Sequence, residues 1–367
     1  MKFSHARESL LTACTVADSA AASRTTMPIL TCIKLVAGDG KVIVMGTDNE
    51  IGLRYELTAD AVETPGVCVL PPDRLLPILK QTSSSPIQFR ESDDTVQIKT
   101  SSGRFTLTSQ DADKFPDVPP IEDDGYVCKV GRTALLDAIT RTLPCADKTE
   151  ATARWAVTGL YFEIAKSGIT VAGTDTRRLA VVTLPHEQLS EPSTGLVPQK
   201  AANVLLKALS ASDDETVTFW IGKNAAVFSC GPVTVHTKLV EGRFPPFRDI
   251  IPKKPAIKFS VPREEFANAV LQAAIMKEAE TSRVDFKFEG KSVEMVSKSQ
   301  LGASDVKLDL PDFNGEPVEI AFNPSYLSDC FKVCSGDAVD VEMTDGQNPV
   351  VFRDGKDYLH LVMPLTG

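Results

Sequence analysis

Two kinds of strand-to-helix junction recur three times along the chain, and that repetition limits the fold more than any single motif. The first kind is carried by Phe3–Asp18, Cys128–Asp147 and Phe259–Met276, whose starts lie 125 and 131 residues apart. The second follows in each copy, at Val69–Thr82, Leu196–Ser210 and Ile320–Ser335, with starts 127 and 124 residues apart. Pro72, Pro198 and Pro324 stand at or near the first helical turn, where a missing N–H does no harm. Two further landmarks keep the period. VMGTD at Val44–Asp48 returns 127 residues on as VAGTD at Val171–Asp175, and KFPD at Lys114–Asp117 returns 129 residues on as RFPP at Arg243–Pro246.

Between the helices, apolar and polar residues alternate as half-buried antiparallel strands require. Lys41–Gly46, Thr95–Thr100, Arg104–Thr108, Gly168–Gly173, Thr216–Ile221, Ala225–Ser229, Asp285–Glu289 and Val339–Met343 are such runs. The fold class is therefore α+β, each copy carrying two helices that need one apolar face to lie across a sheet. Expected domains are 1–121, 126–248 and 256–367, with Pro116–Gly125 and Pro245–Pro255 as boundaries.

At 367 residues and 43% hydrophobic content the chain has ample material for two to four packed domains. No apolar run approaches the roughly 18 residues of a membrane span, and Arg7 and Glu8 stand where a leader would be apolar. A cytoplasmic protein, without membrane association, is expected. The eight cysteines form no CxxC and sit in apolar segments, so they read as small core hydrophobes. Cys330 and Cys334 are one helical turn apart, but no other Cys or His lies nearby in sequence; neither a metal nor a cofactor is expected. An enzyme built on Asp48 or Asp175 is disfavoured, because the four histidines share no motif and no Walker loop, HExxH or GxSxG occurs. The Gly-Thr-Asp repeat reads instead as turn chemistry, the carboxylate bonding nearby backbone.

The net charge of −10 argues against a protein that coats DNA with its whole surface. The charge is unevenly spread: the helical segments 5–24, 71–82, 131–148, 198–209, 262–278 and 323–336 together carry +3, leaving −13 elsewhere. That split fits helices lining a DNA-facing surface, and it equally fits solvated helix faces. With no base-reading helix or aromatic platform, any contact would be to phosphate and without sequence preference. An architectural β protein that never meets DNA is also compatible with these patterns.

Across its whole length the chain resembles the bacterial sliding-clamp family, the beta subunit of the replicative DNA polymerase III. The resemblance is carried by Met1–Phe3, Thr26–Leu30 (TMPIL), Gly46–Glu50 (GTDNE), Gly103–Leu107 (GRFTL), Lys114–Asp117, Thr174–Ala180 (TDTRRLA), Lys238–Pro245 (KLVEGRFP), Phe322–Tyr326 (FNPSY) and Val362–Leu365 (VMPL). It implies a non-catalytic processivity factor made of three tandem clamp domains, sheets outside and helices inside, closing head-to-tail into a ring dimer around double-stranded DNA. It implies nucleoid association during replication. It also implies as partners the polymerase catalytic subunit, the clamp loader and other proteins with clamp-binding peptides, among them repair polymerases, mismatch-repair proteins and ligase.

By position in the family pattern, Arg24, Arg74, Lys80, Trp155 and Lys200 are the implied DNA-facing residues. The implied partner-peptide pocket comprises Val157, Thr174, Arg178, Leu179, Pro245, Ile250, Pro349, Leu361, Val362, Met363, Pro364 and Leu365. Phe105, Leu107, Ile275 and Met276 match the apolar centre of the dimer interface. The chain departs from the family pattern at Ala156, at Thr176-Arg177, where Gly-His is frequent, and at Asp249, where arginine is common.

Overall fold

The computed structural model describes residues 1–83, 85–118, 128–147, 156–189 and 191–365. Among these, six α-helices form: α1 (Arg7–Ala20), α2 (Pro72–Gln81), α3 (Arg132–Thr142), α4 (Gln199–Ser210), α5 (Arg263–Ala273) and α6 (Pro324–Val333). They follow the two expected junctions of each copy. Pro72 and Pro324 open α2 and α6, and Pro198 directly precedes α4. The expected strands form with ends shifted by a residue at most.

Contacts group the chain into two compact units, 1–136 with 164–166 and 186–240, and 137–163 with 167–185 and 241–367. The division does not fall at the Pro-rich boundaries, because the sheets run on from one copy into the next. In the first unit, Ile51–Thr58 of copy one pairs antiparallel with Val233–Lys238 of copy two, setting Leu53 opposite Val235. In the second unit, Arg178–Leu184 of copy two pairs in the same way with Tyr358–Val362 of copy three, setting Ala180 opposite His360.

The first unit holds a five-stranded sheet in the order Ala61–Thr64, Lys2–His5, Ile87–Ser92, Thr95–Lys99, Arg104–Thr108. Its larger sheet has nine strands, running from Gln188–Leu189 through the Ile51–Thr58 junction to Gly66–Leu70. Helix α1 lies across this sheet, flanked by α2 and α4. The second unit holds a four-stranded sheet in the order Gly302–Asp309, Ser292–Ser299, Val284–Glu289, Val318–Phe322, with α5 beside α6. Six strands of another sheet, from Gly168–Thr174 to Ile257–Pro262, complete it.

The copies also share a helix-to-sheet contact that explains the repeated glycine. A Cβ on Gly46 would stand 2.0 Å from the carbonyl oxygen of Ala17, and one on Gly173 would stand 2.4 Å from that of Thr142. In copy three the same place is taken by Ser297, whose hydroxyl donates to the Ala273 carbonyl at 2.6 Å. These carbonyls belong to corresponding residues of α1, α3 and α5. Side-chain caps recur as well: the Arg7 guanidinium donates to the Leu79 carbonyl at the end of α2 (3.3 Å), and Arg132 to that of Leu209 in α4 (3.1 Å). Such cations near a helix C-terminus neutralise its partial negative charge. All eight cysteines are buried free thiols.

Candidate functional site

The second Gly-Thr-Asp turn builds the wall of a cavity. The Asp175 carboxylate accepts from the backbone N–H groups of Arg177 and Arg178, both at 3.0 Å. The Thr174 hydroxyl donates to the Arg178 carbonyl (2.6 Å) and accepts from the Thr176 N–H (3.1 Å). The turn thus holds Thr176 at φ +72°. Arg178 is fixed from every side: its guanidinium donates to Asp175 (3.0 Å), to Asp329 of α6 (2.6 Å) and to the Pro144 carbonyl (2.6 Å). It also lies 4.5 Å over the Tyr326 ring.

Above this turn opens a cavity of about 150 Å³ lined by Thr174, Thr176, Arg178, Pro245, Phe247, Ile250, Leu361 and Met363. Ile250 and Met363 leave 47% and 37% of their surface exposed, so an apolar rim faces solvent. The wall behind is an aromatic group: Tyr161 stacks on Phe244 at 4.9 Å, and both meet Phe247 edge-on. The Glu163 carboxylate holds the Arg248 guanidinium in a two-pronged pair beside Phe247.

Six of the twelve residues expected in the pocket therefore line one cavity: Thr174, Arg178, Pro245, Ile250, Leu361 and Met363. Val157, Leu179 and Val362 are buried and do not line it. Pro349 and Pro364 are half-buried and also stand outside the lining. Leu365 donates its N–H to the Ala321 carbonyl (2.8 Å) and borders a separate concavity of mixed polar and apolar lining on the four-stranded sheet. Phe247 is added by the structure, and Thr176, a departure from the family pattern expected at the pocket rim, lines the cavity. Phe247 had a signal, an aromatic just past RFPP, and the glycine frequent in the family at position 176 was the signal for the positive φ that Thr176 adopts.

Beneath the cavity His360 is fully buried, its Nδ1 3.1 Å from the Tyr358 hydroxyl and 3.8 Å from the Cys145 thiol. Burial, helped by the Arg178 charge, pulls its pKa down to about 3, so the ring is neutral. Burial pushes the Cys145 thiol up to about 12. Unreactive thiols and a neutral imidazole here are core groups.

The basic residues expected to face DNA behave differently from one another. Arg24, Arg74 and Lys80 are exposed, Arg74 with Asp73 3.6 Å away. The ammonium of Lys200 instead donates to Asp48 (2.6 Å) and to the carbonyls of Ala21 (2.9 Å) and Ala20 (3.3 Å), at the end of α1. Burial raises the Asp48 carboxyl, but Lys200 and the N–H groups of Ile51 and Glu50 outweigh that and hold it below the usual range. Trp155 lies outside the described residues. Lys207 of α4, not among the expected residues, is exposed; burial raises the Asp18 carboxyl of α1, and the Lys207 and Lys80 charges offset part of that rise.

Three family models together span nearly the whole chain: the N-terminal domain of the DNA polymerase III beta subunit matches residues 1–119, the central domain 130–246 and the C-terminal domain 248–366. The chain belongs to the DNA polymerase III beta subunit family. As a member it is a non-catalytic DNA sliding clamp, made of three tandem clamp domains.

Among beta sliding clamps, that of Staphylococcus aureus is 27% identical over 377 residues, covering 100% of this chain and 99% of its own. That of Halalkalibacterium halodurans is 27% identical over 364 residues, covering 95% of each. The fold matches the Thermotoga maritima DNA polymerase III beta subunit with a TM-score of 0.93 at 23% identity, over 100% of this chain and 99% of that one. It also matches the Pseudomonas aeruginosa sliding clamp bound to griselimycin, with a TM-score of 0.92 at 24% identity over 100% of both chains. Among the described residues of this beta-family chain, no helix is long and apolar enough to cross a membrane.

Proposed function

We propose that this clamp encircles duplex DNA as a head-to-tail homodimer and tethers partner proteins through the apolar cavity beside the second Gly-Thr-Asp turn. The observation that carries closure is, among the described residues, an unpaired edge in each unit. Gly302–Asp309 is the copy-three counterpart of Ile51–Thr58 and Arg178–Leu184, each of which pairs with the last hairpin strand of the following copy. Arg104–Thr108 is the copy-one counterpart of those hairpin strands, and among the described residues it pairs on one side only.

The repeat also supplies a register. Val235 and His360, opposite Leu53 and Ala180, correspond to Phe105, and Leu53 and Ala180 correspond to Ser304. Phe105 would lie opposite Ser304 of a second copy, bringing Arg104 opposite Asp305. Val235 and His360 are each 1% exposed, whereas Phe105 is 40% exposed. Its exposure is that of a core residue waiting for its strand, and paired edges no longer template aggregation. In the proposed dimer Leu107 would join Phe105 on one side of the seam, and Ile275, 72% exposed, with Met276 would stand on the other.

A ring holds DNA by topology, so weak phosphate contacts from Arg24, Arg74 and Lys80 suit sliding better than strong ones. The tether raises the local concentration of its partner on DNA. The proposed partners are the polymerase catalytic subunit, the clamp loader and other proteins carrying short apolar clamp-binding peptides, in the cytoplasm and on the nucleoid. The test is retention on closed circular duplex after loading by a clamp loader. We expect the protein to survive a high-salt wash and to leave after a single cut; release by salt alone would rule out encirclement.

A further inference from the structure

We propose that Thr176 sets the largest side chain this cavity accepts, so that it takes an aliphatic or phenyl-sized anchor and rejects an indole-sized one. The inference rests on the reading of the cavity as the peptide pocket. At about 150 Å³ the cavity has the volume of an apolar cavity that holds benzene. One anchor side chain fills it. Whether a larger one enters depends on which wall gives way.

Most of the lining is fixed by packing or ring geometry. Pro245 is cyclic, Phe247 and Leu361 are buried, and Arg178 is held by two carboxylates and a carbonyl. Met363 is the adaptable wall, since an unbranched thioether repacks readily. Thr176 is the one exposed wall held against strain. Its φ of +72° lies in the left-handed region, which β-branched residues avoid. It cannot relax without releasing the bond from its N–H to the Thr174 hydroxyl, which in turn donates to the Arg178 carbonyl. Asn49 holds the same place in the first turn, at φ +77°, with the same N–H bond to Thr47. Asparagine tolerates that backbone better than threonine does, so the turn carries a strained side chain where it lines the cavity.

The experiment titrates capped pentapeptides Ser-Gly-X-Gly-Ser, with X as Leu, Phe or Trp, into the full-length protein. Binding is followed by NMR of the Ile250 and Met363 methyl groups. In the unmodified protein, Leu and Phe peptides should bind within about threefold of each other and the Trp peptide about tenfold more weakly. Thr176→Gly should bring Trp to within about threefold of Leu. Thr176→Asn should relieve strain without making room: melting rises by about 2 °C while Trp is still rejected. Equal binding of Trp and Leu before mutation, or undiminished rejection in Thr176→Gly, overturns the inference. Absence of any methyl shift with all three peptides would overturn the pocket reading itself.

Discussion

The two Gly-Thr-Asp turns are the same backbone device carrying different side chains. In both, the aspartate accepts from the N–H groups two and three residues on, at 2.9 and 2.7 Å for Asp48 and at 3.0 and 3.0 Å for Asp175. In both, the following strand pairs into the next copy, and an N–H of that copy (Lys238 or Met363) donates at 2.9 Å to the residue before the strand or its equivalent, Glu50 or Arg177. The first turn nevertheless has a filled apron and the second an open cavity. At the first, Gly52 stands where the second has Leu179, and a Cβ there would meet Val118 at 3.1 Å. His236 and Lys238 stand where the second has Leu361 and Met363. Lys34 reaches over Phe115 where Tyr161 stacks on Phe244. Identical main chain does not make a binding site; the residues set above it do.

The ion pairs differ in the same way, and removing them sharpens the comparison most. At the second turn Arg178 joins the turn to α6 from a largely buried position, with Asp175 and Asp329 as its counter-charges. Arg178→Met leaves both carboxylates facing a low-dielectric wall, and we expect a loss of about 3 kcal/mol. In thermal unfolding that is a fall of roughly 6–10 °C. Adding Asp329→Asn should recover part of the loss, because the two changes share one interaction. Strict additivity of the two would show that Arg178 acts through packing on Tyr326 instead.

The next effect concerns His360, which occupies the place held by Phe105 and Val235 in the other copies. It is neutral in the fold, near pKa 3, and titrates near its ordinary 6.5 when unfolded. The unfolded chain therefore takes up a proton first, so stability is full above pH 6.5 and falls as pH drops toward 3. Tyr358, Cys145 and Arg178 face the ring, and none offers a negative charge near neutral pH. Between pH 7 and 5 this group should cost about 2 kcal/mol. His360→Phe should flatten that part of the denaturation profile; an unchanged slope would place the dependence on other groups.

Much of the fold was legible because it is periodic. Alternation gave the strands, and three spaced copies gave both helices of each domain with their prolines. The turn role of Asp48 and Asp175 was legible too, since an aspartate after Gly-Thr has few other local uses. The site was less so. Leu365 and Leu361 sit in one apolar run, yet Pro364 lies between them, and Leu365 bonds to Ala321 outside the cavity lining. Nothing local in the sequence distinguishes Lys200 from Lys207, although one is tied to a carboxylate 152 positions away and the other is exposed. Strand order decides such pairings, and strand order between copies is invisible to a reading of neighbours along the chain.

The smallest expected effect tests the first turn, where position in the family pattern and the local bonding pull apart. A lysine ammonium has three donors, and Lys200 points all three at protein acceptors: Asp48 and the carbonyls of Ala20 and Ala21. Its side chain is 41% exposed, so Lys200→Met should cost only about 1 kcal/mol. A phosphate contact would show elsewhere, as a drop of about 0.9 in the slope of log affinity against log salt. We expect Lys200→Met to leave that slope unchanged on short duplex DNA, while Lys80→Ala and Lys207→Ala each lower it. If Lys200→Met lowers the slope as much as they do, the ammonium exchanges its protein acceptors for phosphate when DNA arrives. The first turn would then be a contact that DNA opens, and the contrast with the permanently braced second turn would be sharper still.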